Sequence, residues 1–527
     1  MNNTIKKIYA VVLTFSTLVY LGWRVIYTVP YDHGALSIVF AWILLVAEIF
    51  GAVELVCFFW FYLAKDKNIA PRSARAASQE PLPAVDVMVP TYGEPVPLLE
   101  KTLRACLAMR YAGQVCVWLL DDASRPEMKE LADRLQVGYL FRHKHVNAKA
   151  GNLNSALGKT KAPLIAVFDA DMAPRPEFLE RTVPLMTKGV AYVQTPQSFR
   201  NRDLFQKAYG GAGIPNEQDF FYRSIEPARN AINAVVLAGS NMLLSREALE
   251  AVGGFVTETL TEDFATGIAL QKKGYRGVAV TETLAEGETP ESLGALIRQR
   301  VRWASGCIQS GRKERILFGR GLTLRQRMSY LMAVSYWYFP VKRLVYLLAP
   351  LLYSFFGVAV MRCDLRSAAL FWLPMYLLTT FGIPLFSGQT RTVGWSMFYE
   401  SCLTPFLLIP VIRESLGIRQ REFKVTDKSG SRDWRWWMVI PHAFACLILA
   451  AAVVCSVRLS LEVQSFQYVM LVLWNVYHLY LAFAGVLFVL NCKKSKSESL
   501  KEELPHRLSG RELAALKLPR LLASLLK

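Results

Sequence analysis

Leu164-Ile165-Ala166-Val167-Phe168-Asp169-Ala170-Asp171 is an apolar, β-rich run that stops on two acids spaced by one alanine. Its length and composition predict a buried strand over Leu164–Asp169. Runs of the same kind precede it at Val85–Pro90, Val115–Asp121 and Val137–Phe141, and one follows at Val190–Gln194. Helical patterns fill the intervals at Val96–Arg110, Arg125–Leu135 and Pro176–Met186. Strands alternating with helices predict an α/β, mostly parallel, doubly wound sheet. Ligands of such sheets bind beyond the carboxyl ends of the strands, and the polar residues of this segment collect there.

Apolar blocks flank the segment. Ile8–Val29 and Ala35–Ala64 precede it, and Tyr336–Met361, Ala368–Phe386, Trp437–Val457 and Tyr468–Leu490 follow. Each suffices for a helix across a bilayer, which needs roughly 20 residues, so about six spans are expected. The first block is too long for a signal-peptide core and leads straight into the second, which predicts an uncleaved helical hairpin. The expected organisation is two membrane helices in 1–65, the α/β domain in 66–322, membrane and interfacial helices in 323–491, and a basic tail in 492–527. Residues 66–84 read as a polar linker, and Ser509–Leu526 as a short amphipathic helix at the membrane surface.

Placing the N-terminus inside puts Lys6, Lys7, Lys65 and Lys67 in the cytoplasm. It does the same for the 411–435 loop (Arg413, Arg419, Arg421, Lys424, Lys428, Arg432, Arg435) and for Lys493, Lys494 and Lys496. The positive-inside pattern thus predicts a multi-pass plasma (inner) membrane protein with the α/β domain and both termini cytoplasmic. The net charge of +19 is assigned to topology and to attraction by anionic lipid, so the lipid bilayer, and no nucleic acid, is expected as a partner. Nine cysteines without a CxxC pair read as buried thiols. The six histidines form no metal-type cluster, and His143-Lys144-His145 reads as a solvated turn.

The strand ends carry the chemistry. Pro90-Thr91-Tyr92-Gly93-Glu94-Pro95 offers Tyr92 for stacking and Glu94 for polar nucleotide edges. Asp121-Asp122 closes the second strand; adjacent acids there need donors or a cation, and they read equally as a helix-capping turn. In Asp169-Ala170-Asp171 alternate side chains share a face, which suits a hard divalent cation, Mg2+ or Mn2+, on a diphosphate. Lys149-Ala150-Gly151-Asn152 opens a helix, where phosphate is favoured. Thr261-Glu262-Asp263 begins another, with Thr259 or Thr261 as its cap, and Asp263 meets the needs of a general base. Gln299, Arg302 and Trp303 share one helix face: Arg302 suits a phosphate, Trp303 a sugar ring, and Gln299 its hydroxyls.

The ordered set Asp-Asp, Asp-x-Asp, Thr-Glu-Asp, Gln-x-x-Arg-Trp resembles the processive inverting family-2 glycosyltransferases, which make cellulose, chitin, hyaluronan, alginate and mixed-linkage glucan. Phe423-Lys424-Val425-Thr426-Asp427-Lys428 looks like the gating loop of bacterial cellulose synthase catalytic subunits, here 421–428. Val193-Gln194-Thr195-Pro196 and the stretch from the Leu320s to Gly357 also look similar, and the likeness covers roughly residues 35–490. The resemblance implies a glycosyltransferase-A-type domain inserted in a membrane helix bundle. It implies a UDP-sugar donor, a growing polysaccharide acceptor, and accessory or homo-oligomeric subunits. It makes Asp121, Asp122 and Asp169 ligands of uridine and diphosphate, aided by Tyr92, Glu94 and Lys149. Asp171, with Asp169, would hold the metal. Asp263, beside Glu262, would be the base and Arg302 would stabilise the leaving diphosphate. Gln299 and Trp303 would sit at the acceptor end, and Thr426 and Lys428 would reach or support the nucleotide.

The expected activity is polymerisation of glucose from UDP-glucose into a β-1,4 or mixed β-1,3/1,4 glucan that crosses the membrane. Two departures keep other products open. Val236-Leu237-Ala238-Gly239-Ser240 stands where cellulose synthases carry Phe-Phe-Cys-Gly, and Gln197 where they carry His. A synthase of hyaluronan, chitin or alginate type, a non-processive transferase to a lipid phosphate, and a non-enzymatic scaffold are the competing expectations. No PilZ domain is expected. Glu48 and Glu54, inside the second apolar block, are expected to hydrogen-bond within the bundle. Tyr336, Trp337 and Trp395 read equally as channel lining and as interfacial anchors.

Overall fold

The structure is a computed structural model that describes residues 3–63, 82–143, 145–209, 214–388, 390–418, 434–463 and 467–502. The strands of the α/β domain are, in chain order, β1 Val85–Thr91, β2 Val115–Asp121, β3 Gly138–Phe141, β4 Leu164–Val167, β5 Ala173–Pro174, β6 Val190–Gln194, β7 Ser198–Phe199, β8 Met242–Ser245, β9 Arg276–Ala279 and β10 Ala285–Gly287. Seven form one sheet in the order β3-β2-β1-β4-β8-β6-β9, and β5-β10-β7 form a small second sheet. All seven residues of β1 are buried. Apolar cores cover both sheet faces: one holds Leu99, Leu103, Met128 and Leu131, the other Leu153, Leu249 and Leu270. A strand covered on both sides is expected to be largely apolar, and β1 is so apart from Asp86 and its terminal Thr91.

The expected doubly wound sheet is present with one amendment. β8 runs antiparallel to both β4 and β6 in the middle of the sheet. Four residues long and followed at once by the helix Arg246–Ala251, it has no punctuation to separate it from a buried helix segment. Its direction has a consequence for the site. The register Val167↔Met242 brings the start of β8 to the end of β4, so the preceding residues 238–241 turn into the carboxyl edge.

Asp86, on β1, is buried and accepts from Trp118 Nε1 (2.9 Å), Ala162 N (2.9 Å) and Arg246 (3.0 Å). Arg246 also binds Thr160 Oγ1 and the carbonyls of Leu157 and Ala162. Removing one partner of a buried pair strands the other charge at about 3–5 kcal/mol. Arg246→Met is therefore expected to lower the thermal midpoint of the detergent-solubilised chain by about 10 °C, and an unchanged melt would contradict this role.

Among the described residues, seven helices are long and apolar enough to cross a membrane: Asn3–Tyr27, Gly34–Leu63, Leu324–Phe356, Leu365–Ser387, Val393–Ser415, Trp436–Val463 and Tyr468–Lys493. Val393–Ser415 exceeds the sequence expectation, because Glu400, Arg413 and Glu414 break its apolar pattern. Both of its ends touch the α/β domain. Tyr399 donates to Pro215 O (3.2 Å), while Glu414 accepts from Gln309 (2.9 Å) and pairs with Arg312 (2.8 Å). Inside the bundle, Glu48 pairs with Arg24 (2.7 Å), and Glu54 pairs with Lys342 (2.6 Å) and accepts from Ser335 (2.5 Å). The expected interior hydrogen bonding of both acids is observed.

Candidate active site

β1 and β2 pair in register to Thr91↔Asp121, and β4 runs beside β1. Their carboxyl ends open into a cleft of about 1300 Å³. It is lined from the strand side by Tyr92, Glu94, Asp122, Lys149, Asp169 and Asp171, and from the helix side by Glu262, Asp263, Gln299, Arg302 and Trp303. The sequence-predicted residues thus converge, with one exception among those described. Asp121 is fully buried and does not line the cleft. Its oxygens accept from Ala123 N (3.1 Å), Arg125 N (2.6 Å) and Tyr139 Oη (3.0 Å), so it organises the turn after β2. Thr426 and Lys428 lie outside the described residues.

Glu94 also has a local duty. Its Oε2 accepts from Thr91 Oγ1 (2.7 Å), Tyr92 N (2.9 Å) and Gly93 N (3.2 Å), which fixes the loop that exposes Tyr92. Asp122 is held by Arg142 through both carboxylate oxygens and approached by His145 Nδ1 at 3.2 Å. Arg142 and His145 were not anticipated. Arg142 directly follows β3, and a polar residue at that strand end could have marked it. His145 borders the cleft.

The floor is a charge cluster. Lys149 Nζ donates to Asp169 Oδ1 (2.5 Å) and to Gly239 O (2.6 Å). Burial pulls the Lys149 ammonium toward the neutral form, but Asp169, Glu262 and Asp263 outweigh it and hold its pKa above the usual value. Asp169 N donates to Ser240 Oγ (2.8 Å), a contact that the antiparallel β8 makes available. Gly151 is required beneath, because a Cβ there would lie 2.2 Å from Val146 O.

Asp263 stands in the first turn of the helix Glu262–Lys272 and accepts from Phe264 N (2.8 Å). Burial and the neighbouring Glu262 push its pKa up to about 7, against the pull of Lys149, Phe264 N–H and Arg302. Thr261 is the N-cap residue of this helix, without a side-chain capping bond. Thr259 donates to Thr261 O (3.2 Å), and Thr261 Oγ1 meets Ser310 Oγ (3.1 Å) on the helix Leu293–Lys313. Gly306 permits that approach, since a Cβ there would fall 2.5 Å from Thr261 Cγ2. Gly239, at φ +81°, allows another: a Cβ on it would lie 2.6 Å from Asp263 Oδ2.

Opposite the floor, one face of Trp303 is covered by the Arg300 guanidinium, 4.4 Å from the ring centroid. Arg300 pairs with Glu217 and donates to Gln299 Oε1 (2.7 Å). The Trp337 ring meets Trp303 edge-on, with centroids 6.4 Å apart. Gln197 Nε2 donates to Ala238 O (3.0 Å) inside the cleft. Buried Gln194 pins the same segment, accepting from Ala238 N and donating to Ser240 O, each at 2.8 Å.

An acidic floor, a buried helix-start carboxylate and a Gln-x-x-Arg-Trp face thus meet in one carboxyl-edge cleft. A family model described as glycosyl transferase family group 2 matches residues 164–385. The cellulose synthase catalytic subunit (UDP-forming) of Pseudomonas fluorescens is 30% identical over 92% of this chain and 66% of its own length. Cellulose synthase 1 catalytic subunit of Komagataeibacter xylinus is 32% identical over 79% of this chain and 56% of its own. Cellulose synthase 2 of Novacetimonas hansenii is 33% identical over 83% and 28%. The chain is homologous to the bacterial cellulose synthase catalytic subunits, and its residues 164–385 match the family-2 glycosyltransferase model. It spans about a third of the length of the first of these relatives. A solved mannosyltransferase of Pyrobaculum calidifontis, in complex with GDP-mannose and Mn2+, superposes with TM-score 0.49 at 20% identity, over 73% of this chain and 99% of its own.

Proposed function

We propose that this chain polymerises glucose from UDP-glucose into a β-glucan, by one inverting displacement per sugar, and passes the polymer through its own membrane helices. The observation that carries this is that Asp263, the Lys149–Asp169 pair, Gln299, Arg302 and Trp303 line one cleft. Asp263 takes the proton of the acceptor hydroxyl as the sugar carbon is attacked. Arg302 and Lys149 stabilise charge on the departing UDP, with Tyr92, Glu94 and Asp122 around the nucleoside. Gln299 and the uncovered side of Trp303 hold the acceptor end.

Among the described residues no group of three or more His, Cys, Asp or Glu could hold a metal alone. Two carboxylates still fit, because Mg2+ and Mn2+ sites commonly take one or two acids and complete themselves with substrate phosphate. Asp171 and Asp169 would hold the ion, which supplies charge neutralisation on the diphosphate. Chelation by EDTA is expected to abolish UDP release from UDP-glucose, with recovery on added Mn2+ or Mg2+; activity that survives chelation would remove the metal from this account.

Both ends of Val393–Ser415 on one domain support an interfacial course for it, since 23 helical residues rise about 35 Å and a crossing helix would separate its ends. Six crossings would keep both termini and the α/β domain on one side of the membrane, which the positive-inside pattern assigns to the cytoplasm of an inner-membrane protein with domain limits at 65, 322 and 491. The direct test of donor choice is a panel of UDP-sugars with the purified chain. UDP release with UDP-glucose above all others is expected, and release only with a UDP-uronate or UDP-N-acetylhexosamine would sink it.

A further inference from the structure

The segment between the helices Leu293–Lys313 and Leu324–Ser335 is held in a fixed form that aims large apolar side chains outward. Ile316 and Leu322 point inward and pack with Ile232, Phe264 and Ile268 of the α/β domain. Phe318 N (3.1 Å) and Gly319 N (2.6 Å) donate to Arg315 O, and Arg327 donates to the carbonyls of Ile316 and Gly319. Gly321, at φ +96°, closes the loop against Lys272, where a Cβ would lie 2.6 Å from the carbonyl oxygen.

Between these anchors Phe318 is 90% exposed, Leu324 75% and Leu317 54%. Arg315, Arg320 and Arg325 stand exposed among them. The neighbouring acids are engaged elsewhere, Glu314 by Lys272 and Glu258 by Lys313, and no ion pair joins the three arginines to an acid among the described residues. Holding a phenylalanine and two leucines rigidly in water is unfavourable, and such a patch marks an interaction site. A ring of unpaired guanidinium groups around it selects a surface that is both apolar and anionic.

The chain itself says which surface is near. The helix Leu324–Ser335 runs through the single turn Tyr336–Tyr338 into Phe339–Phe356, the continuation of one candidate membrane crossing. Twelve helical residues rise only about 18 Å, so the loop lies within reach of the bilayer on the domain's side. We infer that Leu317, Phe318 and Leu324 insert at the headgroup–acyl boundary of that leaflet while Arg315, Arg320 and Arg325 bind anionic lipid phosphates. Through Gly321 and Lys272 the lipid surface then braces the end of the helix that carries Asp263 in its first turn.

The test places the photo-crosslinker p-benzoylphenylalanine at position 318 of the full-length chain, in phosphatidylcholine liposomes with and without phosphatidylglycerol. The same label at Phe444, 61% exposed on the helix Ile440–Val463, reports reconstitution independently of the loop. A lipid adduct on the peptide that carries position 318 is expected. Its yield should rise with phosphatidylglycerol and fall about tenfold in R315Q/R320Q/R325Q, while the Phe444 adduct stays constant. A crosslink from position 318 to a polypeptide, no lipid adduct there beside a normal one at 444, or equal yields in both lipids would overturn the inference.

Discussion

Asp263→Asn is expected to lower glucan formation by about 10²–10⁴-fold and to leave UDP affinity nearly unchanged, read by labelled-glucose incorporation and by UDP titration. The carboxylate is the group in the cleft whose surroundings raise its basicity into the neutral range, through burial and Glu262. A pKa near 7 has a signed consequence. The base works ionised, so kcat/KM is expected to fall tenfold per pH unit below about 7 and to level off above it. Glu262 and Asp263 interact, so the limb reports the pair and not one residue. Removing the neighbouring charge in Glu262→Gln should move that limb to lower pH. A limb that stays in place would show that Glu262 does not tune the base.

Gly239→Ala is expected to cost about 10²-fold in turnover without unfolding the chain. The new methyl would meet Asp263 Oδ2 at 2.6 Å on a residue whose φ is +81°, and a misplacement of about 1 Å can cost 10²-fold. The same backbone supplies the Gly239 O that accepts from Lys149, so base and phosphate-side cation shift together. Measured against a melting curve, full activity with wild-type stability would mean that the Gly239–Asp263 approach is unimportant.

The parallel half of the sheet was legible in the sequence because its strands are apolar, punctuated and end on acids. β8 was not, because Met242–Ser245 passes into a helix without a break. Its absence hid why residues 238–241 enter the cleft, although Val236–Ser240 was marked as a departure from the cellulose synthase pattern. Asp122, Asp169 and Asp171 were found from strand-end placement, and Gln299, Arg302 and Trp303 from helical spacing. Asp121 and Asp122 look alike in sequence, but successive residues of an extended chain face opposite ways, and of the two Asp122 lines the cleft. Arg300 between Gln299 and Trp303, and Arg142 on Asp122, depend on contacts across 83 and 20 residues, which no local pattern contains. Val393–Ser415 escaped because Glu400, Arg413 and Glu414 interrupt its apolar pattern, Glu400 pairing with Arg343 of a neighbouring helix and Glu414 with Arg312 of the α/β domain.

The most direct test is to reconstitute the full chain in liposomes, supply UDP-glucose with Mn2+ or Mg2+, and size the labelled product before and after linkage-specific glucanases. A long, glucanase-sensitive polymer formed while most chains of enzyme remain unprimed is predicted. Single-sugar transfer to a lipid-extractable acceptor, or no polymer from any UDP-sugar, would contradict the account.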